Sequence, residues 1–183
     1  MNILWKKLKI YLFEIPRPIV FSMLFAKFFS GLAFAFYISK SVNLMDFLFA
    51  TVAAFWSIHF IWGLNALIDK ERDKESKIKD SRPMPTEKAK RNVLKFVLVT
   101  SLLASFLAAF FVSRSFLYLI STANLLGVIY NFIGRKHFII SSSLFFAGSG
   151  CISFLLGYEI VLNRVNQPFL IFLIINGLFY AAH

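Results

Sequence analysis

Asn65, Asp69 and Asp73 stand four residues apart at the end of a long apolar run. On a helix continuing out of that run, the i, i+4, i+8 spacing stacks three oxygen-bearing side chains along one face. The arrangement works against the helix. Asp69/Asp73, Glu71/Glu75 and Lys70/Lys74 are like-charge pairs one turn apart, each opposing helix formation by about 0.2–0.5 kcal/mol. Opposite pairs at i, i+3 (Lys70/Asp73, Glu71/Lys74, Arg72/Glu75) compensate in part. A solvated helix gives no reason to align two aspartates with Asn65. A bound hard cation does, because Mg²⁺ takes carboxylate oxygens and keeps positions open for water and for substrate phosphate.

The elements that must carry this stripe belong to a membrane. Of 183 residues, 58% are hydrophobic and 16% charged, with a mean hydropathy of +0.71; a soluble domain is roughly 25% charged. Residues 65–91 form the only long polar segment and hold six of the nine acidic residues. Five apolar runs are each long enough to span a bilayer: Ile19–Ile38, Leu44–Leu64, Phe96–Val112, Phe116–Ile133 and Phe138–Tyr158. A sixth begins at Phe169. The fold class is therefore all-α, a polytopic membrane helix bundle forming one membrane domain over 1–183.

The net charge of +11 does not point to nucleic acid. The basic residues flank the apolar runs, where they set topology and meet anionic lipid headgroups. Sixteen lysines and arginines fall on the side of the N-terminus and the 65–91 segment, and three (Lys40, Arg114 and Arg164) on the other. That asymmetry predicts a cytoplasmic N-terminus and a cytoplasmic aspartate stripe. Residues 2–14 read as an interfacial amphipathic helix, with Trp5 and Tyr11 at headgroup depth. The lone Cys151 lies in an apolar run and reads as a small buried hydrophobe.

Smaller features complete the order of elements. Pro16-Arg17-Pro18 sets an extended turn before the first span. Lys27 lies near the middle of that span, where an unpartnered lysine costs about 2.5–3.5 kcal/mol on insertion scales, so it requires a cavity or a partner. His59 falls off the Asn65 stripe and reads as a packed histidine. Ser81-Arg82-Pro83-Met84-Pro85 breaks the helix, and Thr86 can cap its resumption. Ser113-Arg114-Ser115 links spans three and four as an antiparallel pair. Gly148, Ser149, Gly150 and Ser153 suit close helix packing in span five, and Glu159–Pro168 reads as a polar loop.

The pattern Asn65-x3-Asp69-x3-Asp73, followed by Arg82-Pro83-x-Pro85, resembles the first aspartate-rich motif of the UbiA-type intramembrane prenyltransferases. The resemblance implies that Asp69 and Asp73 are catalytic metal ligands, joined by Asn65, and that they hold Mg²⁺ with the diphosphate of a prenyl donor. It implies diphosphate contacts from Arg82, from Tyr130, and from Arg135 or Lys136 after the fourth span. Arg17 is either a topology determinant or a further contact of this kind, and Lys27 is another. Two positions depart from the motif: Ala66 stands where the family has an aspartate, and Gly134 stands at the fourth position after Tyr130, where the family has a cation. The acceptor would be apolar or aromatic.

A second aspartate-rich motif follows the sixth span in many members. The sixth run here ends too soon to cross a bilayer, so the sequence reads as about six spans of a larger bundle, not expected to catalyse transfer alone. The rival class is a non-enzymatic membrane protein, a transporter subunit or lipid-binding scaffold. It accounts for the spans and basic flanks but not for the aspartate stripe with its Arg-Pro-x-Pro sequel.

Overall fold

A computed structural model describes residues 18–72, 91–132 and 138–162, with side chains described for 21–68, 91–132 and 148–162. Five α-helices occupy these segments: α1 (Pro18–Ser39), α2 (Leu44–Arg72), α3 (Arg91–Val112), α4 (Arg114–Phe132) and α5 (Phe138–Leu162). Helix is what a lipid environment requires, since each segment then satisfies its own backbone polar groups. Four stretches, Phe21–Ser39, Leu44–Ile68, Arg91–Val112 and Arg114–Phe132, are long and apolar enough to cross a membrane, and Gly148–Leu162 is a shorter apolar helix. The polytopic helical bundle expected from the apolar runs is the architecture found. The amphipathic segment 2–14, the 73–90 loop and the sixth run lie outside the described residues.

Local chemistry sets the helix ends. After α1, Lys40 takes a left-handed conformation (φ 60°) and its N–H donates to Phe36 O at 2.7 Å, closing the helix in the manner usually left to glycine. Asn43 caps α2, its Oδ1 accepting the Met45 N–H at 2.9 Å. Ser113 caps α4 in the same way, accepting the Phe116 N–H at 3.0 Å.

Two expected boundaries change. Helix α4 already begins at Arg114, so Ser113 alone separates it from α3. Glu159, expected in a polar loop, lies inside α5 and is 5% exposed. Polarity alone marks Glu159 as loop, but the Ser115 side chain at the start of α4 lies within hydrogen-bonding reach of its carboxylate.

Packing pairs α2 with α3 and α1 with α5, while α4 joins the two pairs by touching α2, α3 and α5. Lipid tails are as apolar as leucine, so close approach rather than hydrophobicity must hold the helices together. Small residues allow that approach: Ala50, Ala53 and Ala54 of α2 and Ala108 and Ala109 of α3 are buried in the shared core. Along α1 and α5 the contacts rise together: Lys27 meets Gly150, Gly31 meets Phe154, and Phe34 meets Tyr158. These two helices therefore run parallel, as the first and fifth crossings of one bilayer must. A Cβ on Gly31 would collide with Phe154 O, and one on Gly157 with Phe28 O. Backbone meets backbone at both points.

Candidate functional site

Helix α2 continues without a break from Leu44 to Arg72, so Ser57, Ile61, Asn65 and Asp69 follow one another at single-turn spacing. The first two members of that row face α4. Ser57 Oγ donates to Asn124 Oδ1 at 2.8 Å, and Asn131 Nδ2 donates to Ile61 O at 3.4 Å. Helices α2 and α4 thus run parallel, with Asn65 one turn beyond the Ile61 contact. Asn65 is itself 5% exposed, an unusual burial for an amide at a membrane helix end.

This polarity gathers the functional ends. Phe21 of α1 packs edge-on against Phe55 and His59 of α2, and Phe29 packs against Phe47, so α1 is antiparallel to α2 and starts near the Asn65 end. The starts of α3 and α5 and the end of α4 lie at the same end by the alternation of the chain. Beneath them, between α1, α2, α4 and α5, lies a small, partly open cavity of about 40 Å³. Phe25, Phe28, Ile61 and Trp62 line it, with Ser57 and Ser149 among its few polar points. The cavity is apolar and rises to Ile61 and Trp62, one turn below the buried Asn65 amide.

The expected site residues fall as follows. Asn65 is buried at the helix end, and Tyr130 is half-buried beside Asn131 at the end of α4. Asp69 lies on helix α2, one turn past Asn65. Its side chain lies outside the described residues, as do Asp73, Arg82, Arg17, Arg135 and Lys136. Among the described residues, no three His, Cys, Asp or Glu side chains come together as a metal cluster. Lys27 is half-buried, and its ammonium fills the space a side chain on Gly150 of α5 would take. Ala66, the departure from the aspartate motif, is 4% exposed and packs as an apolar residue. His59 is a packed histidine, with Nδ1 2.8 Å from Phe55 O.

Sequence reasoning passed over Ser57, Asn124 and Asn131. A signal was present: Ser57 lies two turns before Asn65 on the same row, and Asn124 and Asn131 are a heptad apart. Asn65, Asn124, Asn131 and Ser57 are all buried.

Fold and site together define a polytopic helical membrane protein with an apolar cavity one turn below the buried Asn65 of α2. The sequence matches the model of the UbiA prenyltransferase family over residues 23–183, and the chain belongs to that family. A comparison with curated protein sequences gives no match. Among solved structures, the fold is similar to that of a UbiA homolog from Archaeoglobus fulgidus bound to DMAPP and Mg²⁺, with a TM-score of 0.74 and 20% identity over 93% of this chain and 61% of that one. The same homolog bound to GPP and Mg²⁺ gives a TM-score of 0.75 and 18% identity over 93% of this chain and 61% of that one. A digeranylgeranylglyceryl phosphate synthase structure gives 0.76 and 22% identity over 96% of this chain and 60% of that one. The chain spans about 60% of the length of these solved relatives.

Proposed function

We propose that this chain carries the donor site of an intramembrane prenyltransferase. It takes a prenyl diphosphate with the diphosphate at the end of α2 that carries Asn65 and Asp69 and leads to Asp73, and the isoprenoid chain toward the cavity below. The observation that supports this most is the parallel run of α2 and α4, with Asn65, Asp69 and Tyr130 toward the same end of the bundle. The DMAPP and GPP held with Mg²⁺ by a relative of the same fold support the same reading.

Oxygen donors on one helix row fit Mg²⁺, and Asn65, Asp69 and Asp73 would hold it. When bound, the ion would offset charge on the diphosphate. The remaining work belongs to the chain. Arg82, Arg17 and Arg135 or Lys136 supply positive charge at the mouth, Tyr130 a hydroxyl donor, and Lys27 a positive field from the α1–α5 seam. The allylic C–O bond breaks with its electron pair leaving on the diphosphate. The faces of Phe25, Phe28 and Trp62 stabilise the allylic cation until an apolar or aromatic acceptor captures it and loses a proton. The acceptor arrives from the membrane, and the mouth faces the cytoplasm, as the basic asymmetry requires.

The test is binding of labelled geranyl diphosphate to the protein in nanodiscs, with Mg²⁺ or with EDTA. Binding should depend on Mg²⁺ and should be lost in Asp69→Asn and Asp73→Asn. Equal binding in EDTA overturns the proposal.

A further inference from the structure

Asn131 is 1% exposed, and its carboxamide spans two helices. Nδ2 donates to Gly127 O on its own helix at 2.8 Å and to Ile61 O on α2 at 3.4 Å. The orientation of the amide follows from these partners, because turning it over would set its oxygen against two carbonyl oxygens. Oδ1 accepts no hydrogen bond among the described residues. Just below, Gly127 leaves room for Ile61: a Cβ there would stand 2.5 Å from Ile61 Cγ1. Ile61 is therefore held by a missing side chain on one turn of α4 and by an amide donor on the next.

Stability gives little reason for an asparagine here. Ile61 O and Gly127 O are helix carbonyls that already accept the N–H groups of Asn65 and Asn131. Removing the Asn131 amide would leave neither unpaired, and would remove a buried acceptor that has no donor. What the amide does fix is the height and rotation of α2 against α4, one turn before Asn65.

We infer that Asn131 is a positioning residue, which locks the Asn65–Asp69 turns of α2 against the Tyr130 end of α4 and so sets the spacing across the anion site. The inference rests on the donor site proposed above, but its primary readout does not depend on that site. Amide hydrogen exchange is followed in nanodiscs for the unchanged chain, Asn131→Leu and the smaller Asn131→Ala, together with thermal melting. Exchange over residues 65–72 should quicken tenfold or more in both variants, with exchange over α1 and α5 and the melting temperature unchanged. Affinity for geranyl diphosphate with Mg²⁺ should fall about tenfold.

Unaltered exchange over 65–72 would overturn the inference. A fall in melting temperature with faster exchange throughout the bundle would overturn it too, since Asn131 would then be a general packing residue. In the unchanged chain, geranyl diphosphate with Mg²⁺ should slow exchange over 65–72. Its failure to do so counts against the donor site and leaves the lock standing.

Discussion

Ser57 Oγ donates to Asn124 Oδ1 at 2.8 Å in the buried middle of the bundle, and Asn124 Nδ2 reaches Ser105 Oγ at 3.4 Å. One asparagine thus ties α4 to both α2 and α3, in a medium where nothing else competes for its hydrogen bonds. The row that begins at Ser57 is the one that ends at Asp69. The clamp therefore fixes the direction in which the acidic end of α2 leaves the bundle.

Replacing Asn124 by alanine should lower stability by about 1–2 kcal/mol, the range for interhelical polar contacts in membranes. The serines can fall back on carbonyls of their own helices, as Ser105 already does with Leu102 O at 2.8 Å. A double-mutant cycle with Ser57→Ala, read by reversible unfolding in mixed micelles, should return a coupling near 0.6 kcal/mol. A coupling of zero would remove the clamp from the account.

Gly157 and Gly63 should respond oppositely to alanine. At Gly157 the added Cβ meets the backbone of Phe28 and Leu32, which cannot move without shifting α1, and the loss should be about 1–3 kcal/mol. At Gly63 the Cβ meets nothing within 4 Å, and alanine should gain up to about 1 kcal/mol of helix propensity. Melting of the two variants side by side decides the point.

Glu159 is buried, its Oε1 has no hydrogen bond among the described residues, and the Ser115 side chain lies within hydrogen-bonding reach of its carboxylate. Glu159→Gln keeps a bonding group there without the charge that burial disfavours. Its stability should equal or exceed that of the unchanged chain, whereas Glu159→Leu should lose the tie to α4. A large loss in the glutamine variant would mean that the charge itself has a partner.

Topology is open to direct labelling in a Cys151→Ser background. Single cysteines at Lys74 and Lys136 should react with an impermeant maleimide only from the cytoplasmic side, and one at Arg164 only from outside. Reaction of positions 74 and 164 from one side would refute the layout.

Much was settled by sequence pattern alone. Each apolar run must form a helix in lipid, because no other local structure pairs its own N–H and C=O groups. Five helices, their approximate limits and the continuation of α2 through Asn65 all follow from that. The i+4 spacing then places Asn65 and Asp69 on one row whatever surrounds them. No local rule says which way a row faces in a chain that is apolar on every side. Asn124 and Asn131 read as scattered polar residues until α4 lies parallel to α2, and Glu159 reads as loop until Ser115 comes to meet it. Lys27 demanded a partner, and only the parallel packing of α1 on α5 could say that Gly150 makes room for it. Periodicity defined the helices; contacts between turns far apart in sequence decided their rotation, and through it which polar groups became a site.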